Sequence, residues 1–163
     1  MSLKSVYKSV RYRLRLWQKF RDAEKGNRSV YDLSPFERGV YYEEKACRWL
    51  KERNYHILDR NYRGRKRREL DIVAKDGETL VFIEVKARRE GSRYTPLSAI
   101  DKEKCYAISQ AAKDYLRALE LTGIDVDDLD VRYDAVAVEF DKQGNVVTMK
   151  HYISYLEERR ETV

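Results

Sequence analysis

The sequence is poor in cysteine: Cys47 and Cys105 are far apart among its 163 residues, and neither belongs to a Cys-x-x-Cys pair. That argues against a disulfide scaffold, a zinc ribbon and a thioredoxin-type site. Long apolar runs are missing too. None approaches the roughly 18 residues of a membrane-spanning helix, so no integral membrane association is expected. The start is basic and has no apolar h-region, so no secretory leader is expected. A reducing cytoplasm is the expected location. The two histidines, His56 and His151, have no metal-ligand spacing and read as structural or surface groups. There is no internal repeat and no low-complexity tract. The length suits about one domain, large enough to bury a core without a staple.

Charge is plentiful, at 38% of residues with a net +6. It is unevenly placed. Residues 1–28 hold nine basic and two acidic side chains, whereas the rest hold 25 basic and 26 acidic. The excess is therefore an N-terminal arm on a nearly neutral body. Such an arm either meets an anionic partner or is simply a solvated helix.

The arm reads as a helix from about residue 3 to 25, with Val6, Val10, Leu14 and Trp17 at spacings of three and four. Tyr7, Leu16 and Phe20 widen this stripe. It must dock on the body, on a second copy or on a membrane surface, which leaves a homodimer open. Residues 26–34 read as a linker, dividing an extension (1–34) from a body (35–163). Ser34 is a good N-cap, Pro35 suits the first helical turn and Glu37 completes a capping box, so a second helix starts there and runs to about Arg53. Phe36, Val40, Cys47 and Leu50 mark its apolar stripe. Glu43 lies on that stripe, where a carboxylate is costly unless paired or bound to a cation. Glu44 beside it reads as ordinary surface.

Strands are expected at 55–62, 69–75 and 79–87, then a helix over about 101–121, then strands at 130–140 and 146–152. This order gives a sheet with helices on its faces, an α/β or α+β sandwich. Asp76-Gly77 between two apolar runs is a hairpin signal. A two-residue loop there pairs Lys75 with Glu78. Glu69, Asp71, Glu84 and Lys86 then share one face, with Asp71 and Glu84 as diagonal neighbours. A register change of one residue would separate the two acids.

Paired carboxylates with a nearby ammonium suit a hard metal such as Mg²⁺ or Mn²⁺. Such an ion polarises a phosphoryl group, and a lysine can orient the attacking water. Cross-strand ion pairing on a solvated face is the alternative. The apolar residues around Glu84 (Val81, Phe82, Ile83 and Val85) and the third acid, Glu43, weigh against it.

Asp71 with Glu84-Val85-Lys86 resembles the PD-(D/E)XK nuclease motif. The wider pattern resembles the YraN family of uncharacterised bacterial proteins within that superfamily. It runs through Gly39-x-x-x-Glu43-x-x-Ala46-x-x-x-Leu50, Ile57-Leu58-x-x-Asn61-x-Arg63, Glu69-x-Asp71 and Val81-Phe82-Ile83-Glu84-Val85-Lys86-x-Arg88. Lys104, Tyr115-Leu116, Arg132-Tyr133-Asp134 and His151 complete it, so the likeness covers about residues 36–156. One departure is Arg68, where the family usually has glycine. The family is similar to archaeal Holliday-junction resolvases. The resemblance implies a restriction-endonuclease-like core, a mixed sheet of about five strands flanked by helices. It also implies Asp71 and Glu84 as metal ligands, Lys86 at the attacking water, and Glu43 as a ligand or a partner of one.

Charge placement points to nucleic acid independently. Arg60, Arg63, Arg65, Lys66, Arg67 and Arg68 precede the Asp71 strand, and Arg88, Arg89 and Arg93 follow Lys86. Antiparallel pairing brings both basic loops to the end of the sheet that carries the acids, where they can neutralise phosphates. Lys104 sits on the apolar face of the long helix and either reaches the acids or snorkels. Cys47 reads as packing, and most of the thirteen tyrosines as core or rim. The leading expectation is a Mg²⁺-dependent DNA endonuclease, with branched DNA as a candidate substrate. The rivals are a nucleic-acid-binding protein that keeps the fold without cutting and an adaptor docked through its N-terminal helix.

Overall fold

A computed structural model describes residues 3–155; the side chains of residues 3–11, 13 and 67 are outside that description. The expectations for Val6, Tyr7, Val10 and the Arg67 side chain therefore fall outside the described residues. The elements are α1 (Leu3–Glu24), α2 (Pro35–Lys51), β1 (His56–Arg63), β2 (Glu69–Asp76), β3 (Thr79–Arg89), α3 (Lys102–Glu120), β4 (Val131–Phe140) and β5 (Val146–Tyr152). One mixed sheet has the order β1-β2-β3-β4-β5. Only β3 and β4 run parallel, and α3 provides the crossover that parallel neighbours need. The fold is α/β, as expected of a restriction-endonuclease-like core.

Two apolar layers hold the helices. Under α2, Tyr42, Ala46 and Leu50 pack on Ile72, Ile83 and Val136. Under α3, Ile108 and Ala111 pack on Val73, Phe82 and Ala135. Leu16 and Phe20 of α1 join the α2 layer, so α1 docks on the body. Helix α2 starts as its capping signal predicts: the Ser34 side chain accepts from the Glu37 N–H, and the Glu37 carboxylate accepts from the Ser34 N–H. The segment read as a linker carries a 3-10 turn at Val30–Asp32 and buries Val30 and Leu33. Val30 seats against Gly144 in the β4–β5 turn. Gly144 has φ +90°, and a Cβ there would come within 2.6 Å of Val30, so only glycine fits.

Three readings need correction. Glu44 is buried, paired with Arg48 at 3.3 Å and with Arg60 of β1. Phe36, placed on the apolar stripe of α2, is 59% exposed. The hairpin also closes differently: Asp76 pairs with Thr79, and the loop is Gly77-Glu78. The register has slipped by an even step, so the faces survive. The paired ladder runs from Asp76–Thr79 to Ile72–Ile83, so Asp71 lies just beyond its end.

The sheet is irregular where the site lies. Leu70 packs in the α3 layer and Ile72 in the α2 layer, although residues two apart on a strand normally share a face. Strand β2 therefore turns over at Asp71. On β1, Asn61 takes φ 52° between Arg60, opposite Ile72, and Tyr62, opposite Leu70. Both strands twist together at this level. Arg68 is ordinary extended backbone (φ −77°), and the left-handed conformation falls on Lys66 instead (φ 55°). Glycine is thus not required before Glu69.

Candidate active site

Beyond the end of the β2–β3 ladder, the Asp71 carboxylate accepts the Val85 N–H at 2.8 Å. Glu43 comes to the same place from α2, Glu84 and Lys86 from β3, and Lys104 from α3. Glu43, Asp71 and Lys86 line one cleft of about 400 Å³, with Arg38, Arg88 and Arg89 around them. Glu84 lies beneath, only 1% exposed. Its Oε1 accepts from Lys86 Nζ at 2.5 Å and from Lys104 Nζ at 2.9 Å. Lys104 thus reaches the acids.

The three acids disturb one another. Burial pushes the Asp71 carboxyl well above the usual range, and the charges of Glu84 and Glu43 add to it, against the Val85 N–H and Lys104. Burial and the Glu84 charge likewise raise Glu43, against Arg60, the Asn61 side chain and Lys86. For Lys104, burial works against the charge, but Glu84, Asp71 and Glu69 outweigh it and hold the ammonium above its usual range. Glu43 Oε2 and Glu84 Oε2 are buried without a hydrogen-bond donor. Buried oxygens rarely stay unsatisfied, and a shared cation is one remedy. Among the described residues, no three His, Cys, Asp or Glu side chains are gathered as a ready-made metal cage. The donor chemistry is nevertheless that of a hard-cation site: carboxylate oxygens, two of them orphaned, with positive charge nearby.

The basic candidates divide. Arg88 and Arg89 are in the cleft. Arg63 pairs with Glu69 at 2.8 Å, and the Arg68 guanidinium lies 5.5 Å over the Tyr106 ring. Arg65, Lys66 and Arg93 are exposed outside the cleft lining. The Arg65 N–H donates to Asp114 of α3, which ties that loop to the helix. Three cleft-associated residues were not singled out from sequence. Arg38 precedes Gly39 on the cleft side of α2, and the Asn61 side chain on β1 helps to hold the Glu43 carboxyl down. Gly39 and Asn61 stand within the stretches quoted above for the resemblance. Arg38 carried no local signal.

The sequence model of the Uncharacterised protein family UPF0102 matches residues 42–138, a span that holds Glu43, Asp71, Glu84, Lys86 and Lys104. The chain belongs to this family, which is the YraN family. A UPF0102 protein of Chlorobium limicola is 36% identical over 126 residues, covering 75% of this chain and 93% of the relative. One from Syntrophus aciditrophicus is 39% identical over 106 residues, covering 65% and 79%. Another, from Chlorobium phaeobacteroides, is 42% identical over 104 residues, covering 64% and 78%. The matched span holds the acids of the cleft, and α1 lies outside it. No helix among the described residues is long and apolar enough to cross a membrane.

Proposed function

We propose that this UPF0102 chain is a metal-dependent DNA endonuclease, with branched or flapped DNA as its substrate. The observation that carries the reading is one cleft in which Glu43, Asp71 and Lys86 meet, ringed by Arg38, Arg88 and Arg89, over the buried Glu84. Asp71 and Glu84, with Glu43, would hold Mg²⁺ or Mn²⁺. When bound, the ion supplies Lewis acidity at the scissile phosphate. The chain's own groups do the rest. Lys86 orients the attacking water and offsets charge developing on the phosphorus oxygens. The three arginines neutralise neighbouring phosphates and hold the backbone in the cleft.

A second reading rests on one observation: both ammonium groups already occupy Glu84 Oε1. A protein in this state would bind nucleic acid without cutting it. Incubation of the purified protein with branched, flapped and single-stranded DNA, in Mg²⁺, Mn²⁺ or EDTA, separates the two. The enzyme cuts only with metal, and Asp71→Asn abolishes cutting while DNA binding survives or tightens, since a negative charge has gone. Binding of every substrate with no cutting in either metal ends the nuclease reading.

A further inference from the structure

A second groove, of about 450 Å³, lies between α1 and the body. It is lined by Tyr12 and Trp17 of α1, Phe36 and Val40 of α2, and the ion pairs Arg60–Glu44 and Arg63–Glu69. Phe36 and Val40 face this groove, whereas Gly39 and Glu43 line the acid cleft, so the two hollows flank the same helix. Asn61 lines the groove.

Three aromatic side chains stay open to solvent around this groove: Tyr12 is 48% exposed, Trp17 40% and Phe36 59%. Leu16 and Phe20 are buried a turn away, so α1 is already docked and packing does not account for the open rings. A membrane surface would need the apolar side of α1, and the body already takes up Leu16 and Phe20 of it, leaving Leu14 63% exposed. A second copy would bring its own arm, with nine basic and two acidic residues, against this one. Single-stranded nucleic acid fits both features, because aromatic faces stack on bases and the positive arm neutralises phosphates.

Gly39 is a second, independent observation. It sits inside α2, where glycine costs about 1 kcal/mol relative to alanine. A Cβ there would meet only Glu43 Oε1, at 3.9 Å, so packing within the protein does not require glycine. What glycine leaves is a bare stretch of α2 on the cleft side, next to Val40 of the groove, where a chain can pass close to the helix.

We propose that the groove between α1 and α2 holds the unpaired bases of a single-stranded nucleic acid, whose backbone crosses α2 at Gly39 to reach the acid cleft. This deepens the endonuclease reading and rests on it for what happens at the end of that path; the stacking itself does not depend on cleavage.

The test uses the full chain carrying Trp49→Phe, which leaves Trp17 as its one tryptophan. It is titrated in EDTA with oligothymidylate, oligouridylate and a blunt duplex of equal length. Stacking quenches Trp17 fluorescence with a single-stranded ligand and not with the duplex, and the two oligonucleotides show whether DNA or RNA is preferred. In anisotropy titrations, Trp17→Ala weakens single-strand binding roughly tenfold, and Trp17→Phe restores most of it. Should Trp17→Ala fail to fold by circular dichroism, Phe36→Ala from the opposite wall carries the same expectation. An unquenched Trp17 at saturating ligand overturns the proposal. So does unchanged binding by the alanine variants, including the case where light scattering shows that they have lost a dimer instead. Quenching without metal-dependent cleavage leaves the groove standing and removes the nuclease reading; cleavage without quenching does the reverse.

Discussion

Lys104 Nζ lies 2.9 Å from Glu84 Oε1, tying α3 to the middle of β3 through a carboxylate that is almost completely buried. Lys86 reaches the same oxygen from two residues along the strand. Either ammonium alone keeps the buried charge paired. The pair is therefore redundant for stability, even though only Lys86 lines the cleft.

That redundancy gives a non-additive prediction. Lys86→Met and Lys104→Met each keep most of the apolar stem and remove a charge. Each alone should cost about 1 kcal/mol or less in urea denaturation with EDTA present. Together they leave Glu84 buried and unpaired, and the double variant should lose about 3–5 kcal/mol, well above the sum of the singles. Additive losses would show that one lysine carries the pairing alone. In the cleavage assay the two should differ: Lys86→Met abolishes activity, whereas Lys104→Met lowers it without abolishing it.

Part of the sheet was legible because strand pairing has a period of two. The observed hairpin register differs from the expected one by an even step, which keeps the faces of the paired stretch, whereas Asp71 lies beyond the last pair, where β2 turns over. The start of α2 was legible for a local reason: Ser34 and Glu37 satisfy each other's backbone within one turn. What failed depended on distant partners. Glu44 read as surface because its burial comes from Arg60, on a strand the helix pattern cannot see. Phe36 fits the helical stripe, but the body ends beneath it and leaves it at the groove. The turnover of β2 at Asp71 has no local marker either; it appears only as Leu70 and Ile72 entering opposite layers.

Asp134 shows the same limit away from the cleft, and it gives a prediction about acid stability. Its carboxylate is fully buried and accepts from Arg132 at 3.0 Å, from the Ser154 N–H at 2.9 Å and from His151 at 2.8 Å. Burial opposes the charge, but His151, Arg132 and the Ser154 N–H outweigh it and hold the carboxyl below its usual range. The folded state therefore binds fewer protons than the unfolded chain between the two pKa values. This contribution is fully present above the unfolded value of about 4 and is lost as pH falls through the lower folded value. Asp134→Asn should cost about 3 kcal/mol at neutral pH, a drop in melting temperature of roughly 6–12 °C. It should also flatten the fall in melting temperature below about pH 4. Parallel wild-type and variant curves through the acid range would assign the acid sensitivity to other carboxylates.

Gly39 separates stability from function. Alanine has room there, since the added Cβ meets one carboxylate oxygen at ordinary contact distance. It should therefore stabilise α2 by about 0.5–1 kcal/mol and raise the melting temperature by a few degrees. For an exposed helical glycine with no ligand near it, nothing else should change. With a strand crossing α2 at that point, the new methyl group stands in the path of the backbone. Gly39→Ala should then weaken single-strand binding while the protein becomes harder to melt, and Gly39→Leu should weaken it further. Bulk at position 39 cannot act through destabilisation if the variant is the more stable protein, so opposite changes in melting temperature and affinity would locate the crossing. A stabilised variant that binds as tightly as the parent would place the strand's path elsewhere.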